Sequence, residues 1–195
     1  MSNVGMHCKA MLLLSKRVVV VSVTHYSLFI THLKHRRCIM MPHEIKPDTG
    51  LCTILGYNAQ TGYTRKYFNK ILKHNGINAT AIALNITDEH FDFTMSSVAQ
   101  SKVDRMMIEK EFQKKALQYC DELDETAKRE ARIDFIEVED GKINGYCLDD
   151  EAKALFDKPE FLDDQILFVA KMMLIANRWF NAKIDVDDIP LLIES

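Results

Sequence analysis

The sequence predicts a single three-layer α/β domain with a mostly parallel sheet, and three observations carry that prediction. From Leu51 onward, short apolar runs alternate with amphipathic helical stretches, which is the pattern of βαβ units. Glu139-Asp140-Gly141-Lys142 separates two strand-like runs, and Asp-Gly there favours the positive φ angles of a tight hairpin. Near the C-terminus Leu162, Ile166, Val169, Met173, Ala176 and Phe180 mark one face of a long helix.

Each element has its own justification. Leu51 to Leu55 is an apolar run closed by Gly56, as expected of a buried first strand. Tyr67, Phe68, Ile71 and Leu72 give Thr64 to Asn75 a helical face, and Gly76 supplies the stop. Ala79 to Ile86 reads as the second strand. Thr87 caps the next helix, with Asp88 and Glu89 in its favourable first turn and His90 at the capping-box position. Val103 to Ile108 is predicted as a third strand and Glu111 to Tyr119 as a helix. A charge-rich helix from Asp121 leads into a strand with Ile133, Phe135, Ile136 and Val138, and Ile143 and Tyr146 carry the return strand. Asp149 sits where the hairpin gives way to a helix over Asp150 to Phe156, which ends near Lys158-Pro159. Val186 to Ile193 closes the chain as a helical turn or two. A sheet of this kind binds ligands outside the carboxyl ends of its strands, which places Gly56 to Thr64 at the mouth of a site.

The 195 residues, 47% hydrophobic, are enough for one well-buried core and short for two full domains. A net charge of -3 gives no electrostatic footprint for nucleic acid or an anionic membrane. Cys8, Cys38, Cys52, Cys120 and Cys147 are odd in number and lack CxxC or His/Cys ligand spacing. Reduced thiols in the cytoplasm are expected, with no disulfide framework and no metal site. Residues 1–48 differ from the rest. Lys16 and Arg17 interrupt their apolar runs, whereas a spanning helix needs about 20 largely uncharged residues. The basic patch of Lys34, His35, Arg36 and Arg37 stands where a secretory signal would have small residues. This segment is expected to be a poorly packed extension, or to lie upstream of a true start at Met40 or Met41, with residues 49–195 forming the domain.

The pieces DELDETAK (121–128), IEVEDGKINGY (136–146) and NRWFNAKIDV (177–186), with Asp149 after the hairpin, stand in an order and at separations that carry a resemblance. From Thr53 to Asp149, and again from about Leu162 to Ile193, the chain resembles the substrate-binding domain of shikimate and quinate dehydrogenases. In that family a nicotinamide-binding Rossmann domain separates the two stretches, whereas here Phe156 and Leu162 are almost adjacent. After Asp121 the only glycines are Gly141 and Gly145, so no G-x-G-x-x-G loop is available to hold a pyrophosphate. Hydride transfer needs a nicotinamide held against the substrate carbon. No cofactor is therefore expected for this chain.

The resemblance also implies a set of site positions. The family's Ser-x-Ser, which binds the substrate carboxylate, falls on Gly62 and Thr64. Its catalytic lysine aligns with Gln113 and a nearby threonine with Glu109, although Lys110, Lys114 and Lys115 are close in sequence. An Asn-Thr pair becomes Asp134-Phe135, and a substrate-touching glutamine becomes Lys171. Only the catalytic aspartate is retained, as Asp149. Asp149 is open to a structural reading as a helix cap and to a ligand-binding one. Lys171 either pairs with Asp134, Asp149 or a bound anion, or extends its charge to solvent over an apolar stem. Arg65 and Arg132 read as surface residues or anion holders. Trp179 and the methionine pairs read as core.

Two functional expectations follow. The first is a substrate-domain descendant without dehydrogenase activity, binding a small polar or carboxylated metabolite or acting through a homodimer or other protein interface over the face the lost domain once met. The second is an oxidoreductase that takes its cofactor domain from another chain, or one that runs repurposed chemistry in the same pocket.

Overall fold

The computed structural model describes residues 45–194 of the chain. β1 (Gly50–Gly56), α1 (Tyr63–His74), β2 (Ala79–Asn85), α2 (Asp88–Val98) and β3 (Arg105–Ile108) form the first half. There follow α3 (Gln113–Ala116), which tightens into a 3-10 turn at Leu117–Tyr119, then β4 (Glu122–Leu123), α4 (Glu125–Glu130), β5 (Phe135–Glu139) and β6 (Lys142–Tyr146). α5 (Asp149–Ala154), α6 (Asp164–Phe180) and α7 (Ile189–Ile193) complete the order.

The strands make one sheet in the order β2-β1-β3-β5-β6-β4. β1 lies parallel to both β2 and β3, and β4 is parallel to β6, while β5 runs antiparallel to β3 and β6. Because side chains alternate across a strand, neighbouring residues feed two cores. Ile54, Met107 and Phe135 face one core with α1, α5, α6 and α7. Leu55, Met106, Ile108 and Ile136 face the other with α2, α3 and α4. This is the expected three-layer, mostly parallel α/β arrangement. Among the described residues no helix is long and apolar enough to cross a membrane.

Local chemistry sets most boundaries. Thr87, Asp124 and Asp163 cap α2, α4 and α6 by accepting from the backbone N–H of His90, Ala127 and Gln165. Asp140 and Gly141 have φ of 50° and 77°, so the β5–β6 hairpin turns through the two positive-φ positions that Asp-Gly favours.

Some boundaries differ from the sequence reading. The third strand begins two residues late because the Val103 N–H bonds the Ser101 side chain, in a turn. The helix expected from Glu111 starts only at Gln113, since Phe112 N donates to Glu109 O and closes a turn first. The strand Glu122–Leu123, parallel to β6, is too short to carry a period and was not anticipated. Leu162 precedes α6, because the Asp163 cap starts that helix after it. Of the proposed extension, residues 1–44, with Cys8, Cys38 and both candidate start methionines, lie outside the described residues.

Candidate functional site

Four strands and one helix converge at one edge of the sheet. β1 and β3 are parallel, so their carboxyl ends lie side by side, and Glu109 N donates to Leu55 O at 2.9 Å. β5 runs the other way and brings Asp134, the residue just before it, to the same edge, where Ile108 N donates to Asp134 O at 2.9 Å. β6 ends there too and hands the chain to Asp149 at the start of α5. α6 packs over this edge and contributes Lys171.

The side chains form one ionic network. Lys171 Nζ lies 3.1 Å from each Asp134 oxygen and in close contact with Asp149 Oδ1. Arg132 Nη2 donates to Asp149 Oδ2, and Arg132 Nη1 stands 3.6 Å from Asp134 Oδ1. Gln113 bridges the pair, donating to Asp134 Oδ1 at 3.3 Å and accepting from Arg132 at 3.5 Å. Leu148 N donates to Asp134 Oδ2 at 2.8 Å. Side-chain exposure is 6% for Asp134, 13% for Asp149 and Lys171, and 29% for Arg132. Buried charges at this depth persist only when paired.

The network closes several open alternatives. Lys171 does not extend to solvent. An ammonium has three donors, and three carboxylate oxygens already meet it, which leaves no donor for a ligand anion. Arg132 is part of the buried network rather than a surface residue. Asp149 does not cap α5: the cap position is Leu148 and the turn has no side-chain cap, because the Asp149 oxygens are taken by Lys171 and Arg132. Burial pushes the Asp149 carboxyl up, but Lys171 and Arg132 together outweigh it and hold the group below the usual carboxylate range. Lys115 turns away to Asp88 and Asp92 at 3.3 and 2.9 Å. Asp134, Cys147 and Asp149 place one ligand atom each within 4.8 Å of one another. Both carboxylates already carry protein cations, however, and burial pushes the Cys147 thiol up to about 11, so this trio is poorly suited to a metal ion.

A cavity of about 550 Å³ opens beside the network. Gln113, Arg132, Asp134 and Lys171 form its polar floor, and Met107, Ile108, Phe168 and Met172 give it apolar walls. Thr64, Glu109, Lys110, Glu111 and Lys114 complete the lining. Asp149 is not among the lining residues and stands behind Lys171 and Arg132. Gly62 does not line it either, and a Cβ there would meet Glu109 Oε1 at 3.2 Å. Thus Thr64, Gln113, Asp134 and Lys171 share the cavity, and Asp149 and Gly62 support it from behind.

Glu109, which the resemblance aligned with a family threonine, is the cavity residue whose own contribution the sequence did not reveal. Burial pushes its carboxyl up, the Thr64 hydroxyl opposes that by hydrogen bonding, and Glu111 adds to the upward shift. Its Oε1 is buried with no hydrogen-bond partner. The available signal was Gly56 and Gly62, two residues without side chains flanking the first strand-to-helix loop.

No family model matches the chain. It is 25% identical over 105 residues to a shikimate dehydrogenase (NADP(+)) of Methanococcus maripaludis, covering 54% of this chain and 38% of that protein. The shikimate dehydrogenase structure from Aquifex aeolicus superposes with a TM-score of 0.52 at 21% identity, over 60% of this chain and 44% of the other. The shikimate 5-dehydrogenase of Listeria monocytogenes, solved with shikimate and NAD, gives 0.53 at 14% identity, over 62% and 42%. The sequence similarity shows homology to shikimate dehydrogenase over the shared stretch, and the structures show that the fold is shared. The chain spans less than half the length of each of these relatives.

Proposed function

We propose that this chain is a shikimate dehydrogenase-like ligand-binding domain whose cavity takes a small polar metabolite, and that it does not reduce or oxidise that ligand by itself. One observation carries the reading: the cavity floor is a complete ion-pair network in which Asp149 is tied to Lys171 and Arg132. A general base must be free to reach its proton and must have a pKa near the working pH. Asp149 is held below the carboxylate range and behind two cations. The resemblance puts the family's lysine at Gln113 and its glutamine at Lys171, so this chain has exchanged the two residue types across one cavity. Both now meet Asp134, a position where the family carries an amide.

Residues 155–163 join α5 directly to α6. A nicotinamide would have to be held by parts of the molecule other than this connection. The second reading, an oxidoreductase completed by a cofactor domain on another chain, is favoured by the lysine nitrogen that does touch Asp149. The cytoplasm, where NADP-linked metabolites and reduced thiols are found, is the compartment we propose.

Purified protein mixed with shikimate or quinate and either nicotinamide cofactor is expected to show no change in nicotinamide absorbance. Cyclic polyols are expected to raise its melting temperature, since a ligand at about 100 times its Kd adds about 2.7 kcal/mol of stability. Turnover that disappears in Asp149→Asn would favour the second reading and end the first.

A further inference from the structure

We propose that Glu109 is a built-in carboxylate that fills the anion-favouring end of the cavity, and that the ligand of this cavity is therefore an uncharged, polyhydroxylated small molecule. The inference deepens the binding-site reading and rests on it.

The first argument is position. A twelve-residue helix such as α1 presents unpaired N–H groups and the positive end of its dipole at its N-terminus. α1 has no acidic residue in its first turn, and its cap residue, Gly62, has no side chain to offer. Glu109, directly after β3, reaches this end from the strand next to β1. Its Oε1 lies against Gly62, and Thr64 of the first turn lines the same cavity. Glu109 Oε1 takes no N–H there, so the carboxyl occupies this end of the cavity by position and shape rather than by bonding the helix.

The second argument is that the seat is built for this side chain. A Cβ at Gly56 would stand 2.5 Å from Glu109 Cγ and 2.8 Å from its Cβ, and one at Gly62 would stand 3.2 Å from Oε1. Two positions without a side chain leave the space that Glu109 fills.

The third argument is charge. Lys171 and Arg132 are matched by Asp134 and Asp149. The remaining lining charges are Lys110 and Lys114 against Glu109 and Glu111. Among the described lining residues the charges are therefore balanced before any ligand enters, and a ligand carboxylate at the α1 end would face Glu109 and Glu111. Hydroxyl groups, which both donate and accept, suit a lining of carboxylates, ammonium groups and one amide.

Titration calorimetry with shikimate and its methyl ester, a pair differing in one negative charge, tests this on the full chain. The wild type is expected to bind the ester at least about tenfold more tightly, a difference of about 1.4 kcal/mol. Glu109→Gln, which keeps the seat filled without charge, should erase that preference. Glu109→Ala, which empties the seat, should reverse it and gain a saturable melting-temperature increase with sodium acetate that sodium chloride does not reproduce. A wild-type preference for the acid, or the same preference in Glu109→Gln, would overturn the inference while leaving the cavity a binding site. Binding of neither compound by the wild type would overturn both readings together.

Discussion

β5 and α6 meet at two ionic clusters, and the two behave as opposites. At one, Glu137 accepts from Arg178 Nε and Nη2 at 2.8 and 2.7 Å and from Trp179 Nε1 at 2.8 Å. The Arg178 guanidinium lies 4.2 Å over the Tyr146 ring. At the other, two turns back along α6, Lys171 is shared between Asp134 and Asp149, with Arg132 next to it on the floor of the cavity. The planar fork of arginine matches one carboxylate with two parallel hydrogen bonds. Lysine, a point charge with three donors, gathers two carboxylates from different elements. The first arrangement closes the sheet against the helix. The second does the same while leaving one side open.

The largest effect that would break this comparison comes from Asp134→Ala. It leaves Lys171 with one partner and strands the Leu148 N–H in a site that is nearly dry. Removing one member of a buried ion pair costs about 3–5 kcal/mol, readable as a fall in the urea midpoint. A loss below about 1 kcal/mol would mean the network is not the fold's anchor at this edge. Glu137→Gln is expected to cost less, about 1.5–3 kcal/mol for hydrogen bonds to a charged group, because Arg178 is 41% exposed and water can take its charge. Ligand affinity should be unchanged in Glu137→Gln. An affinity loss there would show that the two clusters act as one.

The clusters and Glu109 also separate by pH. Arg178 and the Trp179 N–H outweigh burial and hold Glu137 below the usual range, as Lys171 and Arg132 do for Asp149. Depressed carboxylates contribute stability that is fully present above their unfolded values and lost as pH falls through the folded ones. Glu109 is raised above its ordinary 4.5, so its sign is opposite: the folded state binds its proton more tightly. Its ionisation weakens the fold as pH rises through the folded value. Glu109→Gln should therefore gain stability relative to wild type as pH rises from about 4.5. Thermal melts across that range check it, and a constant difference would contradict the assigned environment.

The fold was legible where local chemistry and period agree. Thr87, Gly76, Asp140-Gly141 and the Leu51–Leu55 run each name their own element. β4 was invisible because its two residues owe their strand to β6 rather than to themselves. At the site, it was the family resemblance that named positions 113, 134, 149 and 171, while the strand-end rule put only Gly56 to Thr64 at the mouth. What they do to one another was not legible. Whether Lys171 meets an aspartate or solvent depends on the α6 crossing, and the Glu109 seat exists only where β1, β3 and α1 come together.

The smallest stability effect is expected where the charges are moved rather than removed, and it separates charge count from charge address. Lys171→Gln alone leaves Asp134 and Asp149 with Arg132 as their one ion-pair cation among the described residues. Gln113→Lys alone adds a third cation beside Arg132 and Asp134. Made together, the two changes return the network to two cations and two carboxylates, with the lysine still within reach of Asp134 from the start of α3. The double variant should recover about 0.5–3 kcal/mol of the summed single losses, the coupling typical of residues in one ionic network. Urea unfolding of the four proteins in this cycle measures it. Strict additivity would mean that Gln113 and Lys171 do not share Asp134 in solution, and the open cluster would then be a single pair, as closed in its chemistry as Glu137 and Arg178.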